Sequence, residues 1–189
     1  IVLDGEAERA LLGNVGYMPQ HDLLLPWRNL LDNVLLGPEV MGKDRSDAKK
    51  EAKELLPLFG LSGFENSLPF SLSGGMRQRA ALLRTLLCHQ ELVLLDEPLG
   101  ALDALTRLQM RDWLAQISQQ LELTVVLVTH DVDEALLLAD RVYALSPRPA
   151  HVVTELIVNL PRPRSQRLVS NGDFVELRSQ LLKALGIEL

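Results

Sequence analysis

Short runs of branched apolar residues, each ending at a polar residue, mark the second half of the chain. Leu92 to Leu95 and Val125 to Thr129 are two such runs, and a helix-forming stretch follows each of them. This pattern is typical of fully buried parallel strands. Between the runs, residues 104–121 carry apolar positions at helical spacing, without an internal glycine or proline. The order strand, helix, strand predicts an α/β fold with a parallel sheet and right-handed crossover.

Further elements extend this pattern in both directions. Asp131, with Glu134 three residues later, predicts a capped helix start, and the helix then runs to Ala139. Residues 15–18, 141–145 and 151–158 have the composition of strands. Residues 161–164, Pro-Arg-Pro-Arg, predict a stiff extended connector, and an amphipathic helix is predicted after it at 173–185. Residues 26–90 instead show helical patterns at 30–36, 46–59 and 76–89 and no convincing strand, which predicts an inserted helical subdomain.

The composition is that of an ordinary globular chain and excludes several classes of protein. The 189 residues are 47% hydrophobic and carry a formal charge of −6. The single cysteine, Cys88, permits neither an internal disulfide nor a cysteine-built zinc site and favours a reducing compartment. The acidic balance counts against nonspecific nucleic-acid binding. No apolar run approaches the roughly 18 residues of a membrane span, so we expect the chain not to cross a bilayer by itself.

The segment Leu92 to Pro98, LVLLDEP, delivers two adjacent carboxylates to the end of a predicted strand. Ligands of open α/β sheets bind at this edge. Asp96 is placed there to hold Mg²⁺, and Glu97 to polarise an attacking water for phosphoryl transfer. Taken alone, two solvated acids at a turn are an equally good interpretation.

The segment Ser71 to Arg79, SLSGGMRQR, places Ser73, Gly74 and Gly75 directly before a predicted helix. Paired glycines let backbone N–H groups approach an anion closely, and the start of a helix carries partial positive charge. Both features suit a bound phosphate. By itself, however, an ordinary Ser-capped helix after a glycine turn is the commoner interpretation.

Two further polar residues stand where strands are predicted to end. His130 follows one buried strand and is placed to donate to a phosphate oxygen, although a lone histidine there is more often a cap or a surface group. Gln20 follows another strand and is placed to ligate a metal or orient a water. Alone it would be taken for a loop residue.

Together these motifs form an ordered series: Gln20, then SGG at 73–75, LLDEP ending at Pro98, ALD at 101–103 and TH at 129–130. The series resembles the ATP-binding-cassette (ABC) ATPases along essentially the whole chain. The resemblance implies a P-loop NTPase fold, with a partial RecA-like core at 1–20 and 91–160. It also implies a helical subdomain at 21–90 and a C-terminal connector and helix at 161–189.

The resemblance also implies a role for each motif. Gln20 would sense Mg²⁺ and the attacking water, Asp96 would hold Mg²⁺, and Glu97 would be the general base. Ser73, Gly74 and Gly75 would bind the γ-phosphate of ATP held by a second ATPase subunit in a head-to-tail homodimer. Asp103 would belong to the loop that crosses the dimer interface, and His130 would contact the γ-phosphate. Met76 and Gly100 stand where glutamine and serine are usual, and we expect little loss of activity from either.

The glycine-rich P-loop of the family, G-x-x-x-x-G-K followed by Ser or Thr, matches no stretch of this sequence. We therefore expect an N-terminal truncation, in which the family's first strand, P-loop and helix are missing. Residues 1–5 then correspond to the strand that follows. The chain alone is expected to be inactive. The alternative is an ATPase relic that acts as a noncatalytic interaction module.

LLPWRNLLDNV, GGMRQR and DEPLGALDALTR are similar to importer subunits for nitrate, sulfonates, taurine and thiamine-precursor pyrimidines. The similarity implies an ATPase at the cytoplasmic face of the membrane, partnered by a permease and, indirectly, by a solute-binding protein. Leu23, Leu24, Leu25 and Trp27 are candidates for docking the permease, or else fill the subdomain's own core. A DNA-repair ATPase is the alternative of another class, but it would carry long coiled coils between Gln20 and Ser73. A ribosome-acting tandem cassette is a further alternative, although the presence of one cassette and the net negative charge speak against it.

Overall fold

The computed structural model describes residues 14–187. They form two compact units. The first unit is the chain up to Asp103 together with Leu123–Val128, and the second is Ala104–Glu122 together with the chain from Thr129 onward. The strand predicted over residues 1–5 lies outside the described residues. The domain boundaries given above remain predictions.

The first unit is built on a parallel three-stranded sheet. Its strands are β1 (Val15–Met18), β2 (Leu92–Asp96) and β3 (Thr124–Val128), in the order β1-β2-β3. Met18 pairs with Leu95, and Leu95 with Leu127, so the three strands end at the same edge. Val93 and Leu95 point into the core, each 1% exposed. The predicted parallel sheet is therefore confirmed.

The other regular elements among the described residues of the first unit are helices. They are α1 (Leu30–Val34), α2 (Leu36–Val40), α3 (Arg45–Leu55), a short 3₁₀ helix (Pro69–Ser71) and α4 (Gly74–Leu86). Side chains of Asn29, Asp44 and Ser73 cap α1, α3 and α4. α3 ends before Pro57, earlier than predicted, because proline lacks the N–H that continues a helix. The predicted helix over 30–36 is divided at Leu35.

The described part of the second unit contains three α-helices, a 3₁₀ helix and a two-stranded antiparallel sheet. Its elements are α5 (Ala104–Gln120), α6 (Val132–Leu138), β4 (Arg141–Leu145), β5 (Val152–Ile157), a 3₁₀ helix (Gln166–Ser170) and α7 (Gly172–Ala184). Its core contains seven buried residues: Leu136, Leu137, Ala144, Val158, Leu160, Phe174 and Leu181. These bounds agree with the predicted elements to within a few residues.

The predicted connector at 161–164 has no regular secondary structure but is anchored at its end. Arg164 is only 6% exposed. Its guanidinium donates to the carbonyl oxygens of Leu136, Leu160 and Val158 at 3.3, 3.1 and 2.8 Å. A buried cation is stable only when its donors are satisfied, and here carbonyl oxygens satisfy them. None of the helices within residues 14–187 is long and apolar enough to span a bilayer.

Candidate functional site

Asp96 and Glu97 lie at the end of β2, and the backbone there has an unusual conformation. Glu97 adopts φ of +43°, a left-handed conformation that is uncommon for a residue with a side chain. Its N–H donates to the carbonyl oxygen of Val128 at 2.8 Å, and its own carbonyl accepts from Gly100 N–H at 3.0 Å. The hydrogen bond to the end of β3 holds this conformation in place. Strain that the surroundings fix in this way is typical of functional sites.

Gly100 leaves room for the Glu97 side chain. A Cβ at Gly100 would lie 3.2 Å from Glu97 Oε2 and 3.4 Å from Glu97 O. The serine that is usual at this position would therefore crowd the carboxylate, whereas glycine does not. The expectation that Gly100 costs little activity remains a prediction.

Gln20 and Glu97 are brought together by the pairing of β1 with β2. Gln20 Nε2 donates to Glu97 Oε2 at 2.9 Å. Both residues follow the carboxyl ends of their strands, where Met18 pairs with Leu95. The amide fixes one oxygen of the carboxylate, and its own oxygen is a ligand of the kind that Mg²⁺ prefers.

Tyr17 is a member of this cluster that sequence reasoning missed. Its hydroxyl donates to Asp96 Oδ2 at 3.2 Å. Desolvation raises the pKa of the phenol, and the adjacent Asp96 carboxylate raises it further. Tyr17 therefore stays protonated, and a donor, at neutral pH. The only signal in the sequence is that Tyr17 lies one residue before the end of a strand paired with the strand carrying Asp96.

The SGG segment forms the first turn of α4. Ser73 is the N-cap, and its Oγ accepts from Met76 N–H at 3.2 Å. A Cβ at Gly74 would lie 3.3 Å from Leu102 Cδ2, so the buried Leu102 fixes the ALD segment next to this turn. Ser73 and Asp103 are exposed. Within the first turn of α4, Gly75 is buried and Gly74 is partly exposed, so the exposed Ser73 is the accessible part of this helix start. The start of a helix is a favourable place for an anion.

Two arginines of α4 hold the loop that follows Gln20. Arg77 Nε pairs with Asp22 Oδ2 at 3.1 Å. The guanidinium of Arg84 donates to the carbonyl oxygens of Asp22 and Leu23 at 2.6 and 2.8 Å. Burial lowers the pKa of Arg84, although not enough to discharge a guanidinium. α4 and the loop from Gln20 to Asn29, called the glutamine loop below, are thus bonded to one another.

The far end of the same loop is held by Asn33, which is fully buried. Asn33 Oδ1 accepts from Leu25 N–H at 2.7 Å, and its Nδ2 donates to Leu25 O at 3.1 Å. Nδ2 also reaches the carbonyl oxygens of Arg28 and Asn29. The loop between Gln20 and α1 therefore has polar anchors at both ends.

His130 belongs to the second unit and is exposed. It lies between Thr129 and Asp131, the residue whose side chain caps α6 by accepting from Glu134 N–H at 3.0 Å. The predicted cap at Asp131 is confirmed.

The oxygen ligands at the ends of β1 and β2 suit a magnesium nucleotide. Within residues 14–187 no cluster of three or more His, Cys, Asp or Glu side chains could hold a metal by itself. Mg²⁺ instead takes one or two protein oxygens together with waters and substrate phosphates. Asp96 and Gln20 are such oxygen donors, and the residues therefore fit this group.

Comparison with known proteins settles the family. A sequence profile described as ABC transporter matches residues 2–100. This chain belongs to the ABC transporter family. A formylaminopyrimidine import ATP-binding protein, ThiZ, of Halalkalibacterium halodurans is 46% identical over 171 residues, covering 90% of this chain and 68% of that protein.

Two further relatives and a solved structure agree. An aliphatic sulfonates import ATP-binding protein, SsuB 1, of Paracoccus denitrificans is 45% identical, covering 93% of this chain and 68% of the relative. A taurine import ATP-binding protein, TauB, of Rhizobium johnstonii is 40% identical, covering 96% of this chain and 71% of the relative. The dimeric post-hydrolysis structure of the ATP-binding cassette MJ0796 with ADP and Pi is similar at a TM-score of 0.66. It is 28% identical, and the match covers 85% of this ABC chain and 73% of that one.

The family and the α/β fold predicted from the ordered motifs are confirmed. The roles assigned to Gln20, Ser73, Gly74, Gly75, Asp96, Glu97, Asp103 and His130 stay predictions.

Proposed function

We propose that this ABC chain is the ATP-binding and ATP-hydrolysing subunit of an importer for a small solute. The observation that carries the proposal is the hydrogen bond from Gln20 Nε2 to Glu97 Oε2 at the common edge of β1 and β2. It orients a carboxylate at the place where an α/β sheet binds its ligand. The family membership and the names of the relatives support the same function.

Glu97 is the proposed general base. Its carboxylate accepts a proton from the water that attacks the γ-phosphate, and Gln20 keeps it oriented. Asp96 and the amide oxygen of Gln20 would hold Mg²⁺, which neutralises the charge that develops on the phosphate oxygens. Tyr17 fixes Asp96 through its hydroxyl. Positioning of this kind supplies much of the catalysis of phosphoryl transfer.

The proposed partner for hydrolysis is a second copy of the subunit. Ser73, Gly74 and Gly75 offer the first turn of α4 to the γ-phosphate of ATP held by the other copy, and Asp103 lies at the same interface. Ser73 and Asp103 are exposed, as this role requires. The partial positive charge at the start of a helix favours the phosphate. His130 is proposed to contact the same γ-phosphate.

The second proposed partner is a membrane-embedded permease, which would keep the ATPase at the cytoplasmic face of the membrane. Leu23 and Trp27 are 60% and 74% exposed, close along the chain to Gln20, whereas Leu24 is buried. The structure thus divides the predicted apolar cluster: Leu24 belongs to the core, and Leu23 and Trp27 remain candidates for docking. Exposed large apolar side chains that lie together are typical of interaction sites.

The proposed cargo is a small solute of the kinds named for the relatives: a sulfonate, taurine or a formylated aminopyrimidine. The choice among them resides in the permease and in a solute-binding protein that delivers the solute. We therefore assign the class and not the compound.

ATP hydrolysis and transport test the proposal. The protein is expressed from its complete gene with its permease, reconstituted in vesicles, and compared with the variant Glu97→Gln. We expect the variant to lose at least about a hundredfold in hydrolysis rate, because a general base contributes that much or more, and to lose solute uptake. Hydrolysis at the normal rate would remove Glu97 from its role. Absence of hydrolysis in the unaltered protein would favour the noncatalytic interaction module.

Docking is tested by co-purification of the permease with Trp27→Ala. Phe64→Ala is the matched control, since Phe64 is an exposed aromatic residue of the same unit, 40% accessible. We expect the permease to be lost with Trp27→Ala and retained with the control. Equal recovery with both variants would place the docking surface elsewhere.

A further inference from the structure

Three hydrogen bonds join Glu134 and the two neighbours of His130, Thr129 and Asp131, into a small ring. Thr129 Oγ1 donates to Glu134 Oε2 at 2.8 Å and accepts from Asp131 N–H at 3.1 Å. Asp131 Oδ1 accepts from Glu134 N–H at 3.0 Å. Both neighbours of His130 are therefore bonded to each other and to the first turn of α6. His130 itself is left exposed at the tip of this ring.

The directions of these hydrogen bonds make Glu134 the acceptor for the hydroxyl of Thr129. A hydroxyl has one proton to donate, and the Asp131 N–H already uses a lone pair of Thr129 Oγ1. The proton of Thr129 points to Glu134 Oε2, which accepts it at 2.8 Å. Without that acceptor the hydroxyl is free to rotate, and its bond to Asp131 loses its fixed geometry.

The burial of Glu134 shows that this acceptor is held in place. Glu134 is 4% exposed. Burial raises its pKa, and the nearby Asp131 adds to the rise, whereas the hydrogen bond from Thr129 and the charges of Arg107 and Arg111 oppose it. A buried carboxylate costs free energy unless it is paired and bonded. The two arginines lie one turn apart on α5, so α5 supplies the compensating charge.

Arg111 connects α5 to another element of the second unit. It is 5% exposed and donates to the side-chain oxygen of Gln166 in the second 3₁₀ helix. α5, the loop that bears His130 and the 3₁₀ helix at 166–170 are therefore connected through polar groups. α5 begins directly after Asp103 in the chain.

We propose that Glu134 is a positioning residue that fixes the loop bearing His130 through the hydroxyl of Thr129. Its effect on hydrolysis rests on the proposed function, in which His130 contacts the γ-phosphate. The fixed loop holds the backbone of His130 in one position and so limits where the imidazole can lie. A displacement of about 1 Å in such a group costs roughly a hundredfold in rate.

The first test observes His130 directly and does not depend on activity. The protein has four histidines, so the imidazole Cε1–H signals can be assigned by NMR. Thr129→Val removes the hydroxyl at nearly constant shape, and we expect it to shift and broaden the signal of His130 but not those of His21, His89 and His151. Thr129→Ser restores the signal. An unchanged His130 signal in Thr129→Val overturns the proposal.

The matched control is Thr124→Val, the same change at the exposed first residue of β3. It should leave all four signals and the hydrolysis rate unchanged. Glu134→Ala is expected to reproduce the effect of Thr129→Val. If it does not fold, as judged by circular dichroism, the threonine variants still decide the proposal.

The second test uses hydrolysis by the protein expressed from its complete gene. We expect Thr129→Val to lower kcat by roughly tenfold to a hundredfold with little change in KM for ATP, because a misplaced group loses contact mainly in the transition state. In a His130→Ala background the same substitution should cost nothing further. An equal loss in both backgrounds would indicate a structural role and overturn the proposal.

The two proposals fail in different ways. If His130→Ala hydrolyses ATP normally, the proposed role of His130 fails, while the NMR result still decides the positioning by Glu134. If His130→Ala is inactive and Thr129→Val is normal in both rate and signal, only the positioning by Glu134 fails.

Discussion

Gln20 Nε2 donates to Glu97 Oε2 at 2.9 Å, although the two residues are 77 positions apart in the chain. Parallel pairing of β1 with β2 brings the ends of both strands to one edge and so creates this contact. Glu97 is restrained a second time through its N–H, which donates to Val128 at the end of β3. Gln20 therefore orients the carboxylate of Glu97, and the end of β3 restrains its backbone.

Removal of the Gln20 amide should release the Glu97 carboxylate. We expect Gln20→Ala to lower the rate of ATP hydrolysis by about tenfold, a part of what a general base contributes. Steady-state hydrolysis by the protein expressed from its complete gene measures this loss. Gln119→Ala, at an exposed position of α5, is the control and should keep the full rate. A normal rate for Gln20→Ala would show that the 2.9 Å contact does not orient the base.

Tyr17→Phe should raise the Mg²⁺ concentration needed for hydrolysis and leave the maximal hydrolysis rate unchanged. The change removes the hydroxyl that donates to Asp96 Oδ2 at 3.2 Å and keeps the ring. Partners that orient metal ligands are worth about tenfold or more in metal affinity when buried, and for the exposed Tyr17 we expect roughly threefold to tenfold.

The Mg²⁺ concentration that gives half the maximal hydrolysis rate measures this effect. Tyr143→Phe is a matched control, because Tyr143 is 52% exposed against 56% for Tyr17 and accepts its hydrogen bond from Arg141 in the second unit. An equal Mg²⁺ response for both variants would contradict a role for Tyr17 at Asp96.

Arg84→Ala should destabilise the protein through the glutamine loop. The change removes the donor to the partly buried carbonyl oxygen of Asp22 and to the exposed carbonyl oxygen of Leu23. Such a loss costs about 1–3 kcal/mol of unfolding free energy. Urea denaturation followed by circular dichroism measures it.

Arg45→Ala is the comparison for this change. The Arg45 side chain is 59% exposed and pairs with Asp32 and Glu39 at the surface. Surface pairs of this kind are worth about 0–1 kcal/mol. If both variants lose the same unfolding free energy, the hydrogen bonds from Arg84 to the glutamine loop stabilise the protein no more than a surface ion pair does.

The stability of the protein should respond to the titration of Glu134. Its pKa is raised from 4.5, chiefly by desolvation. The folded state therefore holds this proton more tightly than the unfolded state does. The stabilisation from this tighter proton binding is present below the pKa of Glu134 in the unfolded state. It is lost as the pH rises through the pKa of Glu134 in the folded state.

Glu134→Gln removes the titration and keeps an oxygen that accepts from Thr129. We expect the Tm of the variant minus that of the unaltered protein to increase as the pH is raised from about 4 to about 8. Thermal melts across this range measure the difference. A difference in Tm that does not change with pH would show that Glu134 titrates alike in the folded and unfolded states.

The strands and helices could be predicted from the sequence because their signals are local. β2 and β3 are short runs of branched residues, and the α6 cap depends on Asp131 and a backbone N–H three residues away. Element boundaries differ from the prediction where two local signals compete. Leu30 to Leu36 keep one apolar pattern, yet the helix is divided at Leu35. Pro38 has no N–H to donate to the carbonyl oxygen of Val34, as a continuous helix would require.

Contacts between residues distant in the chain cannot be predicted from such local signals. Tyr17 has no feature in the sequence that links it to Asp96, and Arg77 and Arg84 look like ordinary charged positions of an amphipathic helix. Arg164, in a proline-rich connector, gives no sign that it is buried. These roles depend on which carbonyl or carboxylate lies opposite, and only strand register and helix packing determine that.

The sequence by itself thus determined the family, the parallel α/β core and the identity of the chemically capable residues, because these are recorded in motif order and in the periodicity of apolar positions. The tertiary structure alone decided that Gln20 restrains Glu97, that Tyr17 joins Asp96 and that Glu134 supports the loop bearing His130. The reason is physical: periodicity specifies which side of an element is buried, whereas a hydrogen bond requires two particular atoms within about 3 Å, and only the packed chain places them there.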